Sequence, residues 1–315
     1  MPSSAPVILV LGTGGTIAGL ADSPATSGRY QAAQLPIAAL AASVPGVAGY
    51  RIESQQVLQI DSKDLNFGDW FALLDALQAA QRRTEVRGMV ITHGTDTLEE
   101  TAYFLHRVLM PSKPVVLTAA MRPANAPDAD GPGNLADALV VAASASGGAI
   151  LVCMAGAVHA AGVLRKAHTT AVDAFTSDEA PLAGRVEAGN YLPGEIPGQP
   201  MSMAPLALPP VSDWPWVEIV ENHVHADGRA VQALVQAGVH GLVAAGTGNG
   251  TLSLPLEAAL RLAAQAGVRV VRASRCLVGP VSTEPGLLPA APSASPVKAR
   301  IDLLLELLDA QTGRA

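Results

Sequence analysis

The chain alternates short runs that are apolar throughout with longer segments whose apolar positions recur every three or four residues. Five short runs occupy the first half: Val7–Leu11, Val57–Ile60, Gly88–Thr92, Pro114–Thr118 and Ala149–Met154. Continuous apolar character, without alternation, predicts parallel strands buried on both faces. Between these runs the pattern predicts helices near 35–43, 67–82, 97–109 and 134–146. From Thr97 onward, Leu98, Ala102, Leu105 and Leu109 form one stripe, and Thr97 with Glu100 matches a capping box. The repeated strand–helix–strand order predicts an α/β fold built on a doubly wound, mainly parallel sheet with right-handed crossovers.

A second block begins near Trp214. It reads strand (Val217–Val220), helix (Gly228–Ala237), strand (Gly241–Ala245), helix (Pro255–Ala266), strand (Val268–Arg272) and a last helix from Pro296. Before it, Pro193, Pro197, Pro200, Pro205, Pro209 and Pro210 exclude a helix or a central strand. The expected organisation is an N-terminal catalytic α/β domain over 1–190, a Pro-rich linker over 191–213, and a smaller C-terminal α/β domain over 214–315.

Composition narrows the function classes. The 315 residues are 49% hydrophobic and 15% charged, enough to build sizeable cores. A formal net charge of −7 argues against nucleic acid or an anionic membrane as the main partner. Aromatic residues make up only 3%, too few for base-stacking platforms. No apolar stretch approaches the roughly 20 residues that span a bilayer. Val7–Leu11 lacks a basic flank and reads as a strand, not an export signal, so a cytoplasmic location is expected. Cys153 and Cys276 form no CxxC pair and read as reduced thiols. The seven His are scattered without metal-ligand spacing, and no metal is expected.

In an open parallel sheet, ligands bind beyond the carboxyl ends of the strands. Polar residues collect there: Gly12-Thr13-Gly14-Gly15-Thr16, Asp61-Ser62-Lys63-Asp64, His93-Gly94-Thr95-Asp96-Thr97 and Ala119-Ala120-Met121-Arg122. The glycine loop is no dinucleotide fingerprint, because Ile17 stands where the third glycine would fall, and no phosphate-binding P-loop is present. Taken alone, Thr16 and Thr95 read as helix caps, Lys166 as a solvated charge and Tyr30 as surface packing. Two threonines at adjacent strand ends open the alternative of a catalytic crevice.

Gly14-Gly15-Thr16-Ile17-Ala18-Gly19 and Ile91-Thr92-His93-Gly94-Thr95-Asp96-Thr97-Leu98-Glu99-Glu100-Thr101-Ala102 resemble the two signatures of the bacterial-type L-asparaginases. The likeness extends to Asp130-Gly131-x-x-Asn134-Leu135, Arg165-Lys166, Gly246–Gly250 and Arg272-Ala273-Ser274-Arg275. It implies hydrolysis of asparagine, and more weakly of glutamine, to the acid and ammonia, with no cofactor. It further implies that Thr16 is the nucleophile and that Tyr30 sits on a loop, about residues 18–31, that closes over it. Thr95, Asp96 and Lys166 match the family's Thr–Asp–Lys set, in which Asp96 also grips the substrate's α-amino group. Ser62 matches the α-carboxylate group and Ala120 a backbone carbonyl that meets the amide. Gly15, Asp61 and Lys63 complete the expected substrate-binding set. Glu284 resembles a glutamate lent by a neighbouring subunit, which implies a site completed only in a dimer, and the resemblance to the family implies a homotetramer of two such dimers.

Two positions depart from the family pattern. Lys63 replaces a usual glutamine, and Thr251 replaces the asparagine of exported members, although the second block otherwise looks closer to those. Two other functions compete: a non-catalytic amino-acid-binding protein, which would need Asp96 and Ser62 but not Thr16 or Lys166, and an amidase subunit of a transamidation complex.

Overall fold

A computed structural model describes residues 5–23, 30–197, 208–293 and 295–311. The chain forms two compact units, Met1–Pro205 and Leu206–Ala315.

In the first unit the elements run β1 (Val7–Gly14), β2 (Leu20–Ala21), β3 (Tyr30–Gln31), α1 (Ile37–Ala42), β4 (Arg51–Ile60), α2 (Phe67–Arg82), β5 (Val86–Thr92), α3 (Leu98–Val108), β6 (Val115–Thr118), α4 (Gly131–Ser144), β7 (Ile150–Met154), β8 (Ala157–Ala160), β9 (Arg165–Lys166), β10 (Phe175–Thr176), β11 (Gly184–Glu187) and β12 (Asn190–Pro193). Eight strands form one sheet in the order β12-β11-β8-β7-β6-β5-β1-β4. The five strands from β7 to β4 are parallel, and β8, β11 and β12 extend the sheet antiparallel. The fold class is therefore the α/β, mainly parallel arrangement that the apolar runs predict.

Four details differ from the sequence reading. The second strand is longer than Val57–Ile60, and much of it is exposed, because β4 is the sheet edge. Residues 191–193, the start of the expected linker, join Asn190 as part of β12 on the opposite edge. Pro193 sits at the end of that edge strand, where a missing N–H leaves no ladder bond unmade. Residues 198–207 of the linker lie outside the described residues. Thr97 does not cap α3: its hydroxyl donates to the Ser62 carbonyl at 2.8 Å, tying two strand-end loops together. The capping box of this unit is Asn66 with Asp69, at the start of α2.

The fourth difference is topological. Ile8, Val10, Val90, Val116, Leu151 and Cys153 point to one face, where they pack with Ile37 and Leu40 of α1 and Leu135, Ala138 and Leu139 of α4. Trp70 of α2 stacks on Phe104 of α3 at 4.6 Å, and Trp70 donates to the Thr101 hydroxyl at 2.9 Å. Those two helices lie outside the α1–α4 core, on the other face. The steps β4→β5, β5→β6 and β6→β7 all run in one direction across the sheet, yet α4 lies opposite α2 and α3. The β6–α4–β7 connection therefore has the opposite hand to the others, against the strong general preference for right-handed crossovers. Its consequence is local. The start of α4 comes to the same face as the β1 turn, and a β-carbon on Gly131 would lie 2.9 Å from Ile17 Cγ1.

The second unit holds β13 (Val217–Glu221), α5 (Arg229–Gln236), β14 (Gly241–Gly246), α6 (Leu254–Gln265), β15 (Arg269–Ser274) and α7 (Pro296–Gln311). Its three strands are parallel in the order β13-β14-β15. Leu242, Ala244 and Val270 pack with Val231 of α5 and Leu256 and Leu260 of α6. Among the described residues no helix is long and apolar enough to cross a membrane.

Candidate active site

The parallel part of the large sheet, read in chain order, runs second-first-third-fourth-fifth. The order reverses between β1 and β5, and a crevice opens beyond the carboxyl ends of the two strands at such a switch point. Gly15-Thr16 follows β1 and His93-Gly94-Thr95-Asp96 follows β5, so the crevice has a threonine on each side.

Glycine makes the approach of these loops possible. Gly15 has φ +79°, and a β-carbon there would lie 2.4 Å from both the Cα and the N of Gly94. A β-carbon on Gly94 would in turn meet Ser62 Oγ at 2.5 Å. Side chains at these two positions would push the β1, β4 and β5 ends apart.

Thr16 is buried, and its hydroxyl lies 2.8 Å from the hydroxyl of the half-exposed Tyr30. Tyr30 belongs to the β2–β3 pair, and behind it Ala33 N–H donates to the Gly15 carbonyl at 3.0 Å. Residues 24–29 of the expected closing loop lie outside the described residues. Across the crevice Lys166 Nζ donates to Thr95 Oγ1 at 3.1 Å and to Asp96 Oδ1 at 2.7 Å. Lys166 is carried there by the β9–β10 hairpin, and its backbone N–H donates to Glu99 Oε2 at 3.2 Å. The sequence pattern gave no sign of this short hairpin.

Ser62 is 2% exposed and its hydroxyl has no hydrogen-bond partner among the described residues. A buried polar atom left unpaired carries a free-energy cost of about 1–3 kcal/mol, which a ligand group bound there would relieve. Asp61 caps the 3-10 turn of residues 62–64, accepting from the Lys63 N–H. Lys63 is solvent-exposed and bonds the Asp64 carboxylate, which raises its ammonium pKa above the ordinary value. His93 lies fully buried behind the loop, with Nδ1 2.7 Å from the Gly94 carbonyl. Burial pushes its pKa down to about 4, so it is neutral at pH 7.

Ala120 is fully buried beyond β6. The segment around it is held by Asp130, whose Oδ2 accepts from Met121 N–H and whose Oδ1 accepts from Arg122 N–H, both at 2.9 Å. Asn134 Nδ2 donates to the Ala119 carbonyl at 3.0 Å and to Asp130 Oδ2 at 3.1 Å. The motif Asp130-Gly131-x-x-Asn134 is visible in the sequence, but its job of shaping the neighbouring loop is not.

Of the expected site residues, Thr16 and Tyr30 are paired with each other, Thr95, Asp96 and Lys166 form one cluster, and Gly15 and Ser62 both pack against Gly94. Asp61 and Lys63 flank Ser62. Glu284 belongs to the second unit, where its Oε1 accepts from the Ser282 hydroxyl at 3.3 Å. Thr251 is turned back on its own loop, with Oγ1 donating to the Thr247 carbonyl at 2.9 Å.

The chain matches the model of the asparaginase N-terminal domain over residues 7–193 and that of the glutaminase/asparaginase C-terminal domain over residues 216–313. It is 38% identical over 312 residues to a probable periplasmic L-asparaginase of Haemophilus influenzae, covering 96% of this chain and 88% of that protein. It is 37% identical over 276 residues to a glutaminase-asparaginase of Pseudomonas fluorescens biotype A, covering 86% and 76%. It also resembles a crystal structure of a probable cytoplasmic L-asparaginase from Campylobacter jejuni, at 31% identity and a TM-score of 0.88 over 96% and 95% of the two chains. With both family domains matched in order along nearly its full length, the chain belongs to the asparaginase family.

Proposed function

We propose that the protein hydrolyses the side-chain amide of L-asparagine to L-aspartate and ammonia, with L-glutamine as a weaker substrate. The observation that carries this reading is the placing of Thr16 and of Thr95–Asp96 on the two loops that meet at Gly15 and Gly94, with Tyr30 of β3 bonded to the first and Lys166 of β9 to the second. The names of the Haemophilus and Pseudomonas relatives support it.

In the proposed mechanism Thr16 Oγ1 attacks the amide carbon. The C–O bond forms, the C–N bond breaks, and the hydroxyl proton passes through Tyr30 Oη to the departing nitrogen, which leaves as ammonia. An unassisted hydroxyl is a weak nucleophile near neutrality, so this proton path is needed. Backbone N–H groups of the strand-end loops take up the developing oxyanion charge. A water held by Thr95 then attacks the acyl carbon, the carbon–Thr16 oxygen bond breaks, and a proton returns to Thr16. Lys166 occupies one lone pair of Thr95 Oγ1 and so directs the Thr95 O–H away from itself. Ser62 Oγ binds the α-carboxylate, Asp96 binds the α-ammonium, and the Ala120 carbonyl accepts from the amide nitrogen. The test is ammonia release from L-asparagine and L-glutamine by wild type, Thr16→Ala and Thr95→Ala. Substrate binding without ammonia release by wild type would replace this reading with the amino-acid-binding protein. Near-full turnover by Thr16→Ala would remove the nucleophile assignment.

The proposed assembly is a homotetramer of two dimers in which Glu284 completes the site of a neighbouring copy. Its support lies in the second unit, where Val224 in the loop after β13 is 96% exposed and Leu254 at the start of α6 is 83% exposed in the single chain. Large apolar side chains held in water on one region mark an interaction surface. The proposed place of action is the cytoplasm, on the likeness to the Campylobacter protein. The Haemophilus relative bears a periplasmic name, and fractionation of cells making the protein decides between the compartments.

A further inference from the structure

Asp130 stands at the N-cap position of α4, yet its side chain caps nothing. The residue two places on, Pro132, has no N–H to offer, which removes one of the two donors that an N-cap carboxylate ordinarily takes. The carboxylate reaches back instead to the loop after β6, where it accepts the Met121 and Arg122 N–H groups.

The Met121 N–H belongs to the same peptide plane as the Ala120 carbonyl. No described peptide bond is cis, so in this plane the N–H and C=O point in opposite directions. Fixing the N–H on Asp130 Oδ2 therefore fixes the direction of the Ala120 oxygen. Asn134 holds the preceding carbonyl, that of Ala119, and also donates to Asp130 Oδ2, so the peptides on both sides of Ala120 are anchored at one place. A negative acceptor on the N–H also draws electron density onto the oxygen of the same amide, which makes it a stronger acceptor.

We propose that Asp130 is a positioning residue for amide substrates, aiming and polarising the Ala120 carbonyl toward the substrate nitrogen. The inference rests on the contact between Ala120 and the substrate amide proposed above. A carbonyl oxygen only accepts, so what it can hold on the reacting group is an N–H. The amide nitrogen carries N–H groups both in the substrate and in the departing ammonia. The alkoxy group of an ester carries none. Asp130 therefore acts selectively on amides, and loss of its charge discriminates between two substrates that share the same acyl group.

The experiment compares kcat/KM for L-asparagine and for the β-methyl ester of L-aspartate in wild type and Asp130→Asn. The amide-to-ester ratio does not depend on the fraction of enzyme that is folded. The expected result is a fall in that ratio of about tenfold, the size of one hydrogen bond to a strong acceptor. An equal fall for both substrates, or no fall for either, overturns the proposal. Should Asp130→Asn give no folded protein, the same ratio in Asp130→Glu decides, because the longer arm displaces the carboxylate from Met121. Wild-type enzyme that cleaves neither substrate would instead remove the hydrolase reading itself.

Discussion

Gly15 and Gly94 meet backbone to backbone, so closely that a β-carbon on Gly15 would overlap the Gly94 Cα at 2.4 Å. Each glycine is followed directly by a threonine, so this one contact sets Thr16 and Thr95 on adjoining loops. The Gly15→Ala variant combines that overlap with a φ of +79°, which L side chains rarely adopt. Overpacking costs about 1–3 kcal/mol and the backbone strain about 1–3 kcal/mol more. Thermal unfolding should show the loss, and ammonia release should fall with it even at temperatures where the variant stays folded.

Tyr30 offers a separation of chemistry from stability. The residue is 39% exposed and its hydroxyl meets Thr16 at 2.8 Å. Tyr30→Phe should change stability by no more than about 0.5 kcal/mol while lowering kcat about a hundredfold or more, the scale of a lost proton-transfer group. Parallel denaturation and turnover measurements check this, and unchanged kcat would remove Tyr30 from the proton path.

Lys166 bonds Thr95 and a partly exposed Asp96. Exposed ion pairs contribute about 0–1 kcal/mol, so Lys166→Met should unfold almost as wild type does. Its kcat should fall by about 10²–10⁴ if the lysine serves proton transfer through Thr95. Trapping of a stalled acyl-enzyme by rapid quench and mass spectrometry would place the defect in the second half of the reaction.

Acid should destabilise the fold through two buried imidazoles. Burial lowers the pKa of His93 to about 4, and burial with the nearby Arg185 charge lowers that of His159 to about 4, against 6.5 for the free side chain. Between those values the unfolded chain binds more protons than the folded one, so stability rises with pH. The contribution is complete above about pH 6.5 and is lost as pH falls toward 4, on the order of 3 kcal/mol for each group. Urea midpoints should stay level from about pH 7.5 to about pH 6.5 and decline from there to about pH 4.5, and His159→Asn should flatten the decline.

Glu284 tests the shared site. If a neighbouring copy supplies it, activity per chain should fall on dilution as dimers separate, and Glu284→Ala should lower kcat without changing the sedimentation of the protein. A fully active monomer would rule out this role.

The fold class was legible in the residues, because continuous apolar runs such as Val7–Leu11 and Ala149–Met154, too short for helices and alternating with helical segments, suit a sheet covered on both faces. It also placed Gly15-Thr16 and Thr95-Asp96 at strand ends, since both follow such runs directly, and the resemblance of those stretches to known signatures gave them roles. Tertiary structure alone decided what depends on pairing at a distance. The reversed hand of β6–α4–β7 brings Gly131 against Ile17, and no local pattern encodes on which face a helix returns. Lys166 reaches Thr95 on a two-residue strand too short to have a period of its own. Thr97 looks like a helix cap in sequence and Asp130 stands at an N-cap position in the structure, yet their side chains bond neighbouring loops, because a cap side chain is equally able to serve any backbone group that the fold brings within reach.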